Sequence, residues 1–482
     1  MNNYSLRKLL LEMKKNYAEQ PFLLVPENGE KLRPVMYQDF LADLCAGIIE
    51  AEKIEAARIA IAGYSSYEWF ITALALLLSG KTLILVNPDL GDDDLLYLLD
   101  YTDAECVSLA CGQRPEYEFL EKKFQIRNFF EPSGKNVEDA EKVLSSLPDR
   151  NGEFLCFTSG TSKSSKGVVI RTETLSRHVL LVKEEGVLAF RQGDRIFIPL
   201  PLYHIYGLTF LFHIIAAGAT VCLCTSVRRL IQEAELMNPH VALLVPSMIE
   251  PLFRKTGLMP ELRLIISGGG SCRRKQAELV RRQGVCFQNG YGSSESIAMV
   301  MLSLPDEDEQ WMKPLDCVQC EVRENGELWI RSPYHLEEYY KRPQETEEVL
   351  NGDVIRTGDS ARMNAQGCIQ ILGRLRDTIV MENGEKIHAE DMDDILNSMQ
   401  GVRDAAVVYS PEYGISAVVV PASMEQVEIV YSEVERYNRN AGILFRFRHI
   451  WYREEELPRT TTGKLKRYQL EEEYKSWREG KK

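Results

Sequence analysis

The sequence is short of several things, and each shortage removes a class of protein. It has no excess of basic charge. Lys and Arg number 57 against 71 Asp and Glu, for a net charge of −14, whereas a chain that coats nucleic acid is ordinarily basic. It has no apolar run of the roughly 20 residues a bilayer demands. The longest apolar stretch, Gly207 to Cys224, is broken by His213, Gly218 and threonines and reads as a helix followed by a strand. Met1 to Gln20 lacks the apolar core of an export signal, because Glu12, Lys14 and Lys15 interrupt it. It reads instead as an amphipathic helix. Fixed-period repeats and low-complexity tracts are lacking too. The expectation is a cytoplasmic protein with no nucleic-acid partner and no stable membrane insertion.

Cysteine is present but poorly placed for metal. There are 11 cysteines, an odd number, which in a cytosolic protein read as reduced thiols. Cys317 and Cys320 have CxxC spacing, and Cys222 and Cys224 lie two apart. A structural zinc site needs four ligands, usually from two CxxC-type pairs. Cys222 and Cys224 belong to a strand, where they act as small apolar residues.

What is present is a globular composition: 482 residues, 45% apolar and 27% charged. At roughly 100–200 residues per domain this means more than one domain. Strand and helix patterns alternate early. Strands are expected over 58–62, 82–86 and 105–109, with helices over 67–78 and 92–101, the second opening on three aspartates that suit a helix N-terminus. The alternation recurs over 241–245, 262–266, 272–283 and 285–288. It implies a parallel, helix-covered sheet. From about Gly373 a compact α+β unit follows, with helices over 389–400 and 425–440 and strands over 404–409 and 415–420. The basic tail from Lys475 to Lys482 is expected to fray.

Three constellations carry chemistry. In Phe157-Thr-Ser-Gly-Thr-Ser-Lys-Ser-Ser-Lys-Gly-Val168 an apolar strand enters a segment of glycine, hydroxyls and lysines, then leaves as a second strand. Small residues let backbone N–H groups converge on an anion, and lysine adds charge. The segment is a polyphosphate cradle or a solvated hairpin turn. It is no Walker A loop, since no glycine directly precedes Lys166 and no helix follows. Ser267-Gly-Gly-Gly270 and Asn289-Gly-Tyr-Gly-Ser-Ser-Glu295 each end a strand, the place where open parallel sheets bind ligands. Tyr291 can lie under a base or simply pack. Glu295 can hold a hard cation or head a helix.

With Pro201-Leu-Tyr-His-Ile-Tyr-Gly207, Gly326–Arg331, Thr357-Gly-Asp359, Gly373–Asp377 and Pro458–Arg467, these pieces, in this order, resemble the AMP-forming adenylating superfamily. That superfamily holds acyl-CoA synthetases, carrier-domain adenylation domains and firefly luciferase. The motifs are closest to those of fatty-acyl and aryl-acid CoA ligases. The resemblance implies an α/β fold: a large N-terminal domain, 1–373, with helix-covered, mostly parallel sheets, and a small mobile α+β domain, 374–482, hinged near Arg376.

The resemblance also implies roles. Thr158, Ser159, Gly160, Thr161, Ser162 and Lys166 hold the ATP phosphates. Gly268, Gly269 and Gly270 border adenine and the acyl group. Asn289, Gly290, Tyr291, Gly292, Ser293 and Ser294 complete the nucleotide site, with Tyr291 stacked on adenine. Glu295 binds Mg2+ with Thr161 nearby. Asp359 and Arg374 take the ribose. Lys464 is the catalytic lysine of adenylation, and His204 and Glu295 join it in catalysis. Ile205, Tyr206, Gly290, Ile297, Ala298 and Met299 form the acyl pocket. Gly384 lies on the loop of the thiol site.

The function so implied is ATP-dependent activation of a non-amino carboxylic acid to acyl-AMP. Transfer to the thiol of CoA follows, with AMP and pyrophosphate released. The region 203–207 offers His204 and Tyr206 but no carboxylate for an α-ammonium, and the bulk of Tyr206 and Met299 points to a medium-chain or aromatic acid. Loading of an acyl carrier protein's phosphopantetheine arm is the alternative acceptor chemistry. An inactive nucleotide-binding relic is the non-enzymatic reading. The chain departs from the family at Ser162-Lys163 and Ser165 in the phosphate loop, at Ser294, across Pro305–Gln310 and the CxxC, and at Val380 and Ala389.

Overall fold

The computed structural model describes residues 5–27, 31–110, 119–132, 140–147, 152–158, 165–224, 226–253, 259–305, 307–380, 386–460 and 464–480. They form two compact units, Met1–Gln319 with Ile330–Ile355 and Cys320–Trp329 with Arg356–Lys482. None of the helices among the described residues is long and apolar enough to cross a membrane.

The first unit is α/β. One sheet has the strand order 338–339, 167–171, 153–157, 82–86, 58–62, 106–109, 125–128. Its core is parallel, and one side is antiparallel, where Gly167–Arg171 pairs with Glu153–Phe157 and with 338–339. A second sheet runs through 312–314, 301–303, 286–291, 264–267, 241–244, 195–198, 220–223, 21–27 and 31–36, parallel in its middle and antiparallel at both ends. All four residues of Val241–Leu244 are buried, as expected for a strand covered by helices on both faces. The helix Tyr67–Leu78 is apolar almost all round because it too is buried. Ser66 caps it by accepting from the Trp69 N–H at 3.1 Å. The helix–strand reading of 207–224 matches Ile205–Ala217 and Thr220–Leu223.

In the second unit, Val402–Ser410 and Gly414–Pro421 pair antiparallel, and His449–Tyr452 runs parallel to the latter. Alternate residues face opposite ways along these strands. Ala405, Val407, Ala417 and Val419 pack with Met392, Leu396, Val430 and Val434 from the helices Ala389–Ser398 and Val427–Asn440. Ala406, Val408, Val418 and Val420 pack with Leu470 and Tyr474 of a third helix, Arg467–Glu479.

Two expectations are corrected. The tail does not fray from Lys475: it is helical to Glu479, and Trp477 stacks on Trp451 with ring centroids 5.4 Å apart. The strand expected over 285–288 runs further, over Cys286–Tyr291, so Asn289, Gly290 and Tyr291 are its last residues. That strand pairs parallel with 264–267 and then antiparallel with 301–303.

Candidate active site

The phosphate-type segment is a hairpin closed at its neck. The Thr158 N–H donates to the Lys166 carbonyl at 3.0 Å, and the Lys166 N–H donates to Thr158 Oγ1 at 3.0 Å. Ser159, Gly160, Thr161 and Ser162 lie outside the described residues. The Lys166 ammonium stands over the Tyr339 ring, 4.5 Å from its centroid. Tyr339 belongs to the short strand Glu338–Tyr339, paired with Gly167–Arg171. It is buried, and its hydroxyl donates to Glu295 Oε1 at 2.6 Å. A further bond runs from the Leu336 N–H to the Glu295 carbonyl, 2.8 Å. Cys156, on the strand entering the hairpin, is buried. Burial first, and the Glu295 charge second, push its thiol up to about 12.

Glu295 heads no helix. It lies in a turn whose geometry forces glycine at 292, where a Cβ would stand 1.3 Å from the Ala298 carbonyl oxygen. Ile297 and Ala298 hold φ of 54° and 70°, the left-handed region that β-branched residues rarely enter. Strain of this kind concentrates where a site over-determines the backbone. The turn is tied by the Ala298 N–H to the Ser293 carbonyl at 3.0 Å and by the Ser293 N–H to Ser296 Oγ at 2.9 Å. Of the expected acyl-pocket residues here, Ile297 and Met299 are buried and Ala298 is half-buried. The Met299 carbonyl meets His178 Nε2 at 2.9 Å.

His204 precedes the helix Ile205–Ala217 and is half-buried. Its N–H donates to the Pro201 carbonyl at 3.1 Å, and that carbonyl passes so close to Gly207 that a Cβ there would be 2.3 Å from it. Tyr206 reaches the strand ends. Its hydroxyl makes long 3.4 Å bonds to the carbonyls of Leu244 and Ile266, and burial pushes its ionisation up. A Cβ at Gly268 would be 3.4 Å from its ring and one at Gly269, 3.6 Å. The same Cβ on Gly268 would sit 3.4 Å from the Gly290 carbonyl, so Tyr206, the glycine run and the 286–291 strand meet. Gly270 borders Pro246. Asn289 donates from Nδ2 to the Glu309 carbonyl at 3.3 Å. Glu309 is buried and paired with Arg281 at 2.6 Å, so Glu309 braces this strand.

The second unit carries the remaining residues. Asp359 and Arg374 face each other across paired strands, Nε to Oδ1 at 3.0 Å, and Arg374 also donates to the Thr357 carbonyl at 3.0 Å. Arg376 is exposed in the short turn Leu375–Asp377. Lys464 is exposed at the base of a loop closed by the Thr460 N–H to its carbonyl at 2.8 Å and by its own N–H to Thr460 Oγ1 at 3.1 Å. Gly384 lies outside the described residues. Among the described residues no group of three or more His, Cys, Asp or Glu is placed to hold a metal. Mg2+ asks for less: one or two carboxylates with substrate phosphates, a demand the Glu295 carboxylate fits.

Sequence reasoning missed Tyr339. Its signal was an aromatic doublet, Tyr339-Tyr340, inside an otherwise charged stretch, with no periodicity to single it out.

Against known proteins, the AMP-binding enzyme family matches residues 40–340, and the AMP-binding enzyme C-terminal domain matches residues 376–478. A 2-succinylbenzoate–CoA ligase of Bacillus subtilis is 24% identical over 416 residues, 83% of this chain and 84% of its own. A long-chain-fatty-acid–CoA ligase of Mycobacterium tuberculosis is 24% identical over 485 residues, 90% of this chain and 92% of its own. Among solved structures, the anthranilate CoA ligase AuaEII in complex with anthranoyl-AMP has a TM-score of 0.83 at 17% identity, covering 98% of this chain and 97% of that one. The O-succinylbenzoate coenzyme A synthetase of Bacillus subtilis in complex with AMP has a TM-score of 0.79 at 20% identity, covering 96% and 97%. These structures share the fold.

Proposed function

The chain belongs to the AMP-binding enzyme family, and from that premise we propose that it is an AMP-forming ligase joining a non-amino carboxylic acid to coenzyme A. The observation that carries the reading is the meeting of Lys166 and Glu295, remote in sequence, on the ring and hydroxyl of one buried tyrosine. A cation for phosphates and a carboxylate for a metal belong together in phosphoryl and nucleotidyl chemistry.

In the first half-reaction the acid's carboxylate attacks the α-phosphorus of ATP, and the bond to pyrophosphate breaks. Thr158 and Lys166, with Ser159 to Ser162, hold the phosphates. Gly268 to Gly270, Asn289 to Ser294 and the face of Tyr291 enclose the base. Asp359 accepts from the ribose diol, oriented by its ion pair with Arg374. Glu295 and Thr161 would hold Mg2+, which would neutralise phosphate charge. Lys464 offsets charge that builds at the α-phosphate, and His204 steers the incoming carboxylate. Ile205, Tyr206, Gly290, Ile297, Ala298 and Met299 wall the acyl group. In the second half the thiol attacks the acyl carbon and AMP departs, a step we assign to the thiol-site loop at Gly384 and to a hinge near Arg376.

The curated relatives named above are CoA ligases for an aryl acid and a fatty acid, which favours CoA over a carrier protein as acceptor. ATP–pyrophosphate exchange with pooled fatty, aryl and amino acids tests the first half, and CoA-dependent AMP release tests the second. Exchange with a fatty or aryl acid is expected. Exchange with α-amino acids alone, or none, overturns the reading.

A further inference from the structure

We propose that Tyr339 is a positioning residue for nucleotide and metal, its hydroxyl aiming Glu295 and its ring seating Lys166, a role that rests on the ligase reading above. Three observations converge. The phenol donates to Glu295 Oε1 at 2.6 Å, a charge-assisted bond that fixes the orientation of a carboxylate otherwise free to rotate. The ring lies 4.5 Å below the Lys166 ammonium, a cation–π seat. Tyr339 itself is held from both sides. Its N–H donates to Thr346 Oγ1 at 2.9 Å, and the Glu337 and Tyr340 N–H groups donate to the Val169 and Gly167 carbonyls at 2.9 and 2.8 Å. The strand 338–339 therefore ties the outgoing arm of the phosphate hairpin to the turn bearing Glu295, and Tyr339 links the two charged groups. A side chain that only filled space here would need no hydroxyl, and one that only bonded Glu295 would need no ring under the lysine.

The two halves of the role separate by substitution. Tyr339→Phe keeps the ring and removes the donor. The Mg2+ concentration for half-maximal pyrophosphate exchange should rise about tenfold, while ATP binding at saturating Mg2+ stays within about twofold of wild type. Tyr339→Leu removes both, and ATP binding should weaken as well. Calorimetric titration with ATP at low and high Mg2+ gives the same split without turnover. Glu295→Gln with Tyr339→Phe should be no worse in Mg2+ dependence than Glu295→Gln alone, because the tyrosine acts through that carboxylate. Additive effects, or a Tyr339→Phe protein with wild-type Mg2+ dependence, overturn the proposal. Should Phe disturb folding, a fluorinated tyrosine at 339 keeps the packing and alters the donor, and an unchanged Mg2+ dependence then overturns it equally. A wild-type protein that neither binds ATP nor exchanges pyrophosphate refutes the ligase reading instead.

Discussion

Gly292 shows how closely the candidate site is built at the residue scale. With its Cβ position 1.3 Å from the Ala298 carbonyl oxygen, Gly292→Ala must push the turn apart and break the 3.0 Å bond between Ala298 and Ser293. The expected cost is about 3 kcal/mol in unfolding free energy, read by urea denaturation, with Glu295 displaced and pyrophosphate exchange lost. A variant with wild-type stability and exchange would mean that the turn is not needed. A second residue-scale effect is pH dependence. His178 is fully buried, its ring 5.0 Å from His213 and 4.4 Å from Tyr334, and burial holds its imidazole down to about 4 from 6.5. The folded state therefore keeps it neutral where the unfolded chain is already protonated. Stability from this group is complete above pH 6.5 and is lost as pH falls towards 4, by about 3 kcal/mol. His213, lowered further by burial and by His178, steepens the same limb. Denaturation midpoints should thus fall between pH 7 and pH 5, and a flat profile would contradict a neutral buried pair.

In the second unit one side chain ties a helix start, a strand and a second helix together. Arg467, the first residue of the helix 467–479, donates to the Val407 carbonyl and to Asp393 Oδ2, and Asp393 Oδ1 accepts from the Val407 N–H at 2.6 Å. The pair is largely buried, so removing one partner leaves an uncompensated charge. Arg467→Met should destabilise the unit by about 3–5 kcal/mol, and Arg467→Met with Asp393→Leu should recover much of the loss. The stacked Trp451 and Trp477 provide a fluorescence signal for that unfolding. No recovery in the double variant would mean that Asp393 matters mainly for its bond to Val407. This helix was also where local reading failed. The basic end of the chain read as a fraying tail, yet Leu470, Tyr474 and Trp477 recur at helical spacing and pack under the sheet. The strand 286–291 ran past expectation for a different reason. Asn-Gly-Tyr-Gly reads locally as a turn, and only pairing with 301–303, invisible to a local pattern, keeps it extended. Apolar runs such as 83–86 and 241–244 were legible because burial on both faces leaves no polar residue in them. Tyr339 was not, because its role comes from two partners far away in sequence.

For the molecule as a whole, the proposed reaction distributes its groups between two units, with Lys166, Glu295 and the glycine strands in one and Asp359, Arg374 and Lys464 in the other. A two-step reaction on such a chain should yield a substitution that damages one step alone, and Lys464 is the residue to test. Its side chain is exposed, and its loop is held by backbone bonds to Thr460 and by Arg459, whose guanidinium grips Asp404 at 2.9 and 2.7 Å. Truncating the side chain leaves those restraints in place, so Lys464→Ala should fold as wild type. Adenylation of the free acid should drop by about 10²–10³, the effect of removing one stabilising charge at the transition state. Thioester formation from supplied acyl-adenylate should be spared, because that step breaks the acyl–oxygen bond and involves no attack at the α-phosphorus. Single-turnover assays of each half-reaction decide the matter. Equal losses in both would place Lys464 in general nucleotide binding rather than in the first chemical step. An unchanged first step would remove it from the reaction and leave Lys464 as a surface residue of the smaller unit.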